Sequence, residues 1–204
     1  MSCLTYTTIP LQVKGVSLDL STIHSLNSRP PILFLHGFGS CKEDLADLPV
    51  HFALQQYGFI AYDAPGCGQS TSDKLSGIDI PFLVATAEAL LAHFNITGFH
   101  LIGHSMGGLT ALLLAHRYPD RVLSFVDIKR NLAPEDLLGM FLVLPCPKMF
   151  MFGEENRGLS YLGRLEKQGV ELAEISESGH FPMYSNPVEM YRRIALFLRS
   201  ISLD

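Results

Sequence analysis

Cysteine is scarce and scattered. The chain has four, Cys3, Cys41, Cys67 and Cys146. They share no CxxC spacing, which excludes a disulfide scaffold or a zinc ribbon and predicts free thiols in a reducing compartment. Runs of like charge are absent too. Lys and Arg total 15 against 20 Asp and Glu, a net charge of −5, with no basic patch. That argues against a nucleic-acid partner. No apolar run is long enough to span a bilayer. Met1 to Tyr6 has neither a basic start nor an apolar core, so no signal peptide and a cytoplasmic location are expected. Charged residues make up only 17% of the chain and hydrophobic residues 48%, with a mean hydropathy of +0.23. Such a composition excludes a disordered chain. At 204 residues the chain suits one domain, spanning 1–204, that buries a core without staples.

What is present is an alternation of two patterns. Short apolar runs of strand length lie at 32–35, 59–62, 99–102, 122–126, 149–152 and 170–175. Helical patterns lie between them. In 80–94 the apolar residues Leu83, Val84, Ala87, Leu90, Leu91 and Phe94 recur with a 3.6-residue period. The stretch 106–118 is apolar nearly all round, as in a buried helix. Asn186-Pro187-Val188-Glu189 reads as an N-cap, a proline in the first turn and a reaching-back glutamate, opening a final helix. Strands alternating with helices predict an α/β fold: a mostly parallel sheet with helices on both faces. Val16, Leu18, Leu20 and Thr22 alternate with small or polar residues, which predicts an antiparallel hairpin at one sheet edge.

Three segments carry chemistry. Gly103-His104-Ser105-Met106-Gly107 sits between a predicted strand and a predicted buried helix. The glycines permit a sharp turn that pushes the Ser105 hydroxyl out of the sheet, making it the candidate nucleophile. Ser178-Gly179-His180 lies on a late loop between the last strand and the last helix, where a histidine can reach that serine as its general base. His36-Gly37-Phe38-Gly39 follows an earlier strand-like run. Its position makes the Phe38 N–H, with the Met106 N–H, the candidate oxyanion hole.

At these residues the chain resembles the α/β-hydrolases. His36-Gly37-Phe38-Gly39, the segment D-A-P-G-C-G-Q-S at 63–70, G-H-S-M-G-G at 103–108 and Gly179-His180-Phe181 match that family in order and approximate spacing. The resemblance implies a Ser–His–acid triad, a covalent acyl-enzyme and no cofactor or metal. It leaves the substrate open.

Two departures follow. The usual acid position, in a G-x-x-D pattern, is occupied by Gly153-Glu154-Glu155-Asn156, with Asn where Asp belongs. Some members carry the acid at the end of the preceding strand, here Val126-Asp127-Ile128-Lys129-Arg130. Dehalogenase-like relatives have a Glu near the place of Lys129. Asp127 is thus the first candidate acid, with Glu154 and Glu155 as alternatives. The family's helical lid is also missing or very short, because only residues 128–146 separate Asp127 from Pro147, room for one short helix. A minimal cap predicts an open site, a small or short-chain ester substrate, and an apolar patch through which copies could associate. The competing expectation is a non-catalytic binding protein on the same fold. Glu43, Asp44 and Asp47 read as an acidic helix start, and Cys67 and Cys146 as packed thiols.

Overall fold

The computed structural model describes residues 4–201, so Cys3 lies outside the described residues. Thr5–Val13 (β1) and Val16–Ser25 (β2) form the expected antiparallel hairpin. Lys14 and Gly15, both at positive φ, make its two-residue turn. Then come Arg29–Leu35 (β3), Tyr57–Tyr62 (β4) and the short Thr71–Ser72 (β5). Helix Ile80–His93 (α1) precedes Phe99–His104 (β6), and helix Met106–Arg117 (α2) follows it. Val122–Ile128 (β7), helix Glu135–Val143 (α3) and Lys148–Gly153 (β8) come next. Leu162–Lys167 (α4), Glu171–Ile175 (β9), Pro182–Ser185 (α5) and Pro187–Ser200 (α6) complete the chain.

The sheet order is β1-β2-β4-β3-β6-β7-β8-β9, with β5 paired to β2. From β4 to β9 all neighbours on this path run parallel. The parallel strands are buried on both faces, which explains why they read as continuous apolar runs. Alternation along each strand divides the core. Leu33, Leu35, Phe125, Phe150 and Phe152 face one layer with residues of α1, α2 and α3. Ile32, Phe34, Val126, Ile128, Met149 and Met151 face the other layer with residues of α6.

The topology also fixes where a site can form. The chain leaves β3 toward β4 on one side, then crosses back to β6, whose successor β7 lies on the opposite side. Connections therefore diverge between β3 and β6, and their carboxyl ends open a crevice at that switch point.

One expectation about helices is corrected. The acidic start at 43–47 is no α-helix: a single 3₁₀ turn covers Lys42–Leu45, in which Lys42 and Asp44 are buried. Asn186 does cap α6, its side chain accepting from the Glu189 N–H at 3.2 Å. Between β7 and β8, α3 is the one helix of the connection, so no multi-helix cap stands there. Among the described residues no helix is long and apolar enough to cross a membrane.

Candidate active site

Ser105 is the first residue after β6 and stands immediately before α2. Its φ of 53° and ψ of −118° lie outside the regions a side chain other than glycine ordinarily adopts. Such strain persists only where the surroundings impose it, and it clusters at functional sites. The imposing contacts are visible. The Ser105 N–H donates to the Ile128 carbonyl at 3.0 Å, and the Gly108 N–H donates to the Ser105 carbonyl at 3.0 Å. Gly107 packs so close to β3 that a Cβ there would stand 2.1 Å from the Leu35 carbonyl oxygen. At the very start of α2 the Met106 and Gly107 N–H groups have no carbonyl four residues back within the helix to bond.

The loop after β3 closes onto this turn. A Cβ on Gly37 would meet the Ser105 Cβ at 2.9 Å and the His104 carbonyl oxygen at 3.1 Å. His36 holds the loop. Its Nδ1 lies 2.8 Å from the Gly37 carbonyl and must donate, so its Nε2 accepts the Ala64 N–H at 2.8 Å. At the far end of the loop the Lys42 N–H donates to Asp63 Oδ1 at 2.9 Å, and the Lys42 ammonium donates to Asp63 Oδ2 at 2.8 Å. The Phe38 segment is therefore tied at both ends to the chain leaving β4. Neither the Phe38 nor the Met106 N–H is used in a turn or loop hydrogen bond among the described residues.

His180 reaches the site through His104, which in sequence reads as no more than a filler of the serine motif. His104 is fully buried, and its Nε2 lies 3.0 Å from the His180 carbonyl oxygen. A carbonyl only accepts, so Nε2 carries the proton. Burial pushes His104 down to about 4, against the opposing effect of that hydrogen bond, so it is a neutral donor. The two imidazole rings stand 5.0 Å apart. The same loop is anchored where the Tyr184 hydroxyl donates to Asp44 Oδ1 at 2.5 Å and the Glu155 N–H donates to the Ser178 carbonyl at 3.2 Å. His180 is exposed. Desolvation and the nearby Lys129 ammonium both lower its pKa from the ordinary value of 6.5.

The candidate acids are not brought to that ring. The Asp127 side chain, by strand alternation, projects into the layer under α2 and α3 rather than over the strand ends. Its Oδ2 accepts from Arg130 Nε at 2.8 Å and pairs with Nη2 at 2.7 Å. A Cβ on Gly108 would lie 2.8 Å from its Oδ1, so α2 covers it. Burial raises the Asp127 carboxyl, and Arg130 opposes the rise. Asp127 is thus a buried partner of Arg130 and makes no hydrogen bond to His180. Glu154 Oε2 accepts the Glu177 N–H at 2.9 Å, and Oε1 lies 3.4 Å from Arg157. Glu155 lies over Gly179, where a Cβ would stand 2.4 Å from its Oε2. Among the described residues no carboxylate hydrogen-bonds the His180 ring, and no group of acidic, histidine or cysteine side chains could hold a metal ion.

A serine at a strained strand-to-helix turn, flanked by two closed loops, stands at the switch point of this sheet. Residues 30–144 match the model of the alpha/beta hydrolase fold. The chain belongs to the α/β-hydrolase family. It is 40% identical over 113 residues to the dihydrolipoyllysine-residue acetyltransferase component of an acetoin cleaving system from Pseudomonas putida, covering 55% of this chain and 30% of that protein. It is 30% identical over 166 residues to a monoacylglycerol lipase of Rattus norvegicus, covering 78% of this chain and 44% of the lipase. The chain thus spans less than half the length of either relative. Among solved structures, a predicted CIB-like hydrolase from Thermoplasma acidophilum superposes with a TM-score of 0.80 at 20% identity, covering 97% of this chain and 100% of that one. A thermophilic esterase from Thermogutta terrifontis gives 0.75 at 17%, covering 96% and 99%. These two likenesses establish the α/β-hydrolase fold.

Proposed function

We propose that this α/β-hydrolase cleaves carboxylic esters through Ser105 and a covalent acyl-enzyme. The observation that carries the reading is the strained Ser105 turn between the Phe38 loop and the His180 loop. The Ser105 hydroxyl attacks the ester carbonyl as His180 takes its proton. The Phe38 and Met106 N–H groups receive the oxyanion. Collapse breaks the ester C–O bond, and the proton passes from His180 to the departing alcohol. Water, deprotonated by His180, then releases the acid and restores Ser105.

Asp127 takes no part in this scheme, and Glu155 is the alternative acid nearest the His180 loop. The working unit is a Ser105–His180 dyad held by the His104 hydrogen bond. Triads deprived of their acid lose about 10⁴-fold in kcat, so turnover is expected to be modest. The absence of a paired carboxylate among the described residues is also what favours the second reading, a binding protein on the same fold. A fluorophosphonate probe separates the two. Labelling confined to Ser105 supports the hydrolase, and folded protein that stays unlabelled supports the binder.

The pH dependence has a definite sign. The base must be neutral, and both desolvation and Lys129 favour the neutral form of His180. The acidic limb of kcat/KM is therefore expected below the ordinary histidine value of about 6.5, with activity sustained into mildly acidic solution. A limb at or above neutral pH in the measured profile would contradict this assignment.

Substrate size follows from the cover. The connection between β7 and β8 carries α3 alone, so no multi-helix cap covers the site. Phe38, at 81% exposure, and Tyr184, at 64%, stand open to solvent beside the site. Little surface is available to bind remote substrate groups, so binding energy for the chemical step is limited. In a series of p-nitrophenyl esters, acetate and butyrate should be preferred, each with a high KM. A low-micromolar KM for a long-chain ester would overturn this expectation.

A further inference from the structure

Lys129 is the first residue beyond β7, and the Ile128 carbonyl before it accepts the Ser105 N–H at 3.0 Å. The lysine is therefore the next residue along the strand beside the nucleophile. Its backbone is fixed: the N–H donates to the Met151 carbonyl at 2.8 Å, and φ is 51°, a left-handed turn that carries the chain off the strand end. Its side chain is half-buried, and desolvation lowers its ammonium. Among the described residues it has no ion-pair or side-chain hydrogen-bond partner. Of the carboxylates near it in sequence, Asp127 is committed to Arg130 and Glu135 to Arg164.

A partly desolvated cation without a counter-charge is unfavourable. Here it is doubly so, because it acts on His180, which must become an imidazolium during proton transfer. An anion seated at Lys129 would offset both effects. The location says which part of a substrate would bring it. The oxyanion N–H groups lie toward β3, on the other side of Ser105 from β7. The departing alcohol must lie against His180, which delivers its proton, and Lys129 is on that side.

We propose that Lys129 is a specificity residue for anionic esters, binding a carboxylate carried on the leaving-alcohol side of the scissile bond. This rests on the ester-hydrolase reading and adds its substrate class. The bond changes are unaltered: the ester C–O bond breaks, water supplies the oxygen of the new acid, and a hydroxy-carboxylate departs.

The test uses 3-acetoxybenzoate and its neutral methyl ester, which share acyl group and point of cleavage. The ratio of their kcat/KM values should favour the anion by roughly 10- to 100-fold, the worth of one charge-assisted hydrogen bond. Lys129→Gln should bring the ratio near one, and Lys129→Arg should keep it well above one. A ratio unaffected by Lys129→Gln, or one that favours the methyl ester in the unmodified protein, would overturn the proposal. Calorimetric titration of 3-hydroxybenzoate into Ser105→Ala needs no catalysis. Saturable binding that Lys129→Gln weakens at least tenfold supports the anion site even if neither ester is hydrolysed, in which case only the hydrolase reading falls. Absent binding, or binding equal in both proteins, counts against the site. Hydrolysis of both esters without preference would leave the hydrolase reading standing and remove this one.

Discussion

Ser105→Ala is expected to abolish ester hydrolysis with the fold unchanged. Residual activity on p-nitrophenyl acetate should fall on the order of 10⁴-fold or more, since loss of the nucleophile removes the covalent route entirely. The fold should tolerate the change, because the Ser105 hydroxyl makes no hydrogen bond within the described protein and is not fully buried, so no buried partner is orphaned. Alanine inherits the same φ of 53° and hence the same backbone strain. Unfolding temperature and circular dichroism should match the parent, and fluorophosphonate labelling should vanish. A variant retaining a tenth of the activity would place the nucleophile elsewhere.

The Ser105 turn can be read from sequence because it depends on local order. A strand, a glycine-flanked turn and a helix follow one another within about twenty residues, and each leaves its own pattern. The hairpin of β1 and β2 is legible for the same reason: Leu18, Leu20 and Thr22 alternate inward along one strand. The pairing of Asp127 is not legible, because its partner is chosen by the side of the sheet it faces. Asp127 stands one residue before the end of β7, pointing into the layer where Arg130 meets it and Phe141 stacks beneath that guanidinium. A one-residue shift along the strand would have aimed it the other way.

His104, Lys129 and Lys42 escape a sequence reading for related reasons. His104 sits in the motif between residues with plainer roles, and its bond to the His180 carbonyl joins segments 76 positions apart. In sequence, Lys129 stands out only as the residue near a relative's glutamate. What matters is its lack of a counter-charge, which emerges only when every neighbouring carboxylate has been assigned. Lys42 opens a run that reads as an acidic helix start, and a fully buried lysine is rare enough that composition argues against it. Its partner, Asp63, reads as part of a turn that braces strand edges, which is correct but incomplete.

That buried pair should dominate the stability of the loop that carries Phe38. Lys42 is 2% exposed and Asp63 0%. Burial pushes the Asp63 carboxyl up, but hydrogen bonds from the Gln69 and Lys42 N–H groups and from the Lys42 ammonium outweigh it and hold the carboxyl below its ordinary value. Lys42→Met removes the cation and leaves a buried carboxylate with backbone donors alone. Removing one member of a buried pair costs about 3–5 kcal/mol. In a domain of this size that lowers the unfolding temperature by on the order of 10 °C. The activity should fall with it, because the loop bearing the Phe38 N–H is anchored at this end by Asp63. Replacing both residues, as Lys42→Met with Asp63→Leu, should recover part of the stability but not the loop geometry. The pH dependence follows from the depressed carboxyl. Its contribution is fully present above the unfolded carboxylate value of about 3.9 and is lost as pH falls through the lower folded value. Thermal unfolding of the parent and Lys42→Met at neutral pH and in acid measures both effects. A Lys42→Met protein within 1 kcal/mol of the parent at neutral pH, taking ~1 kcal/mol as the worth of an exposed pair, would show that the loop is held by His36 and Gly37 instead.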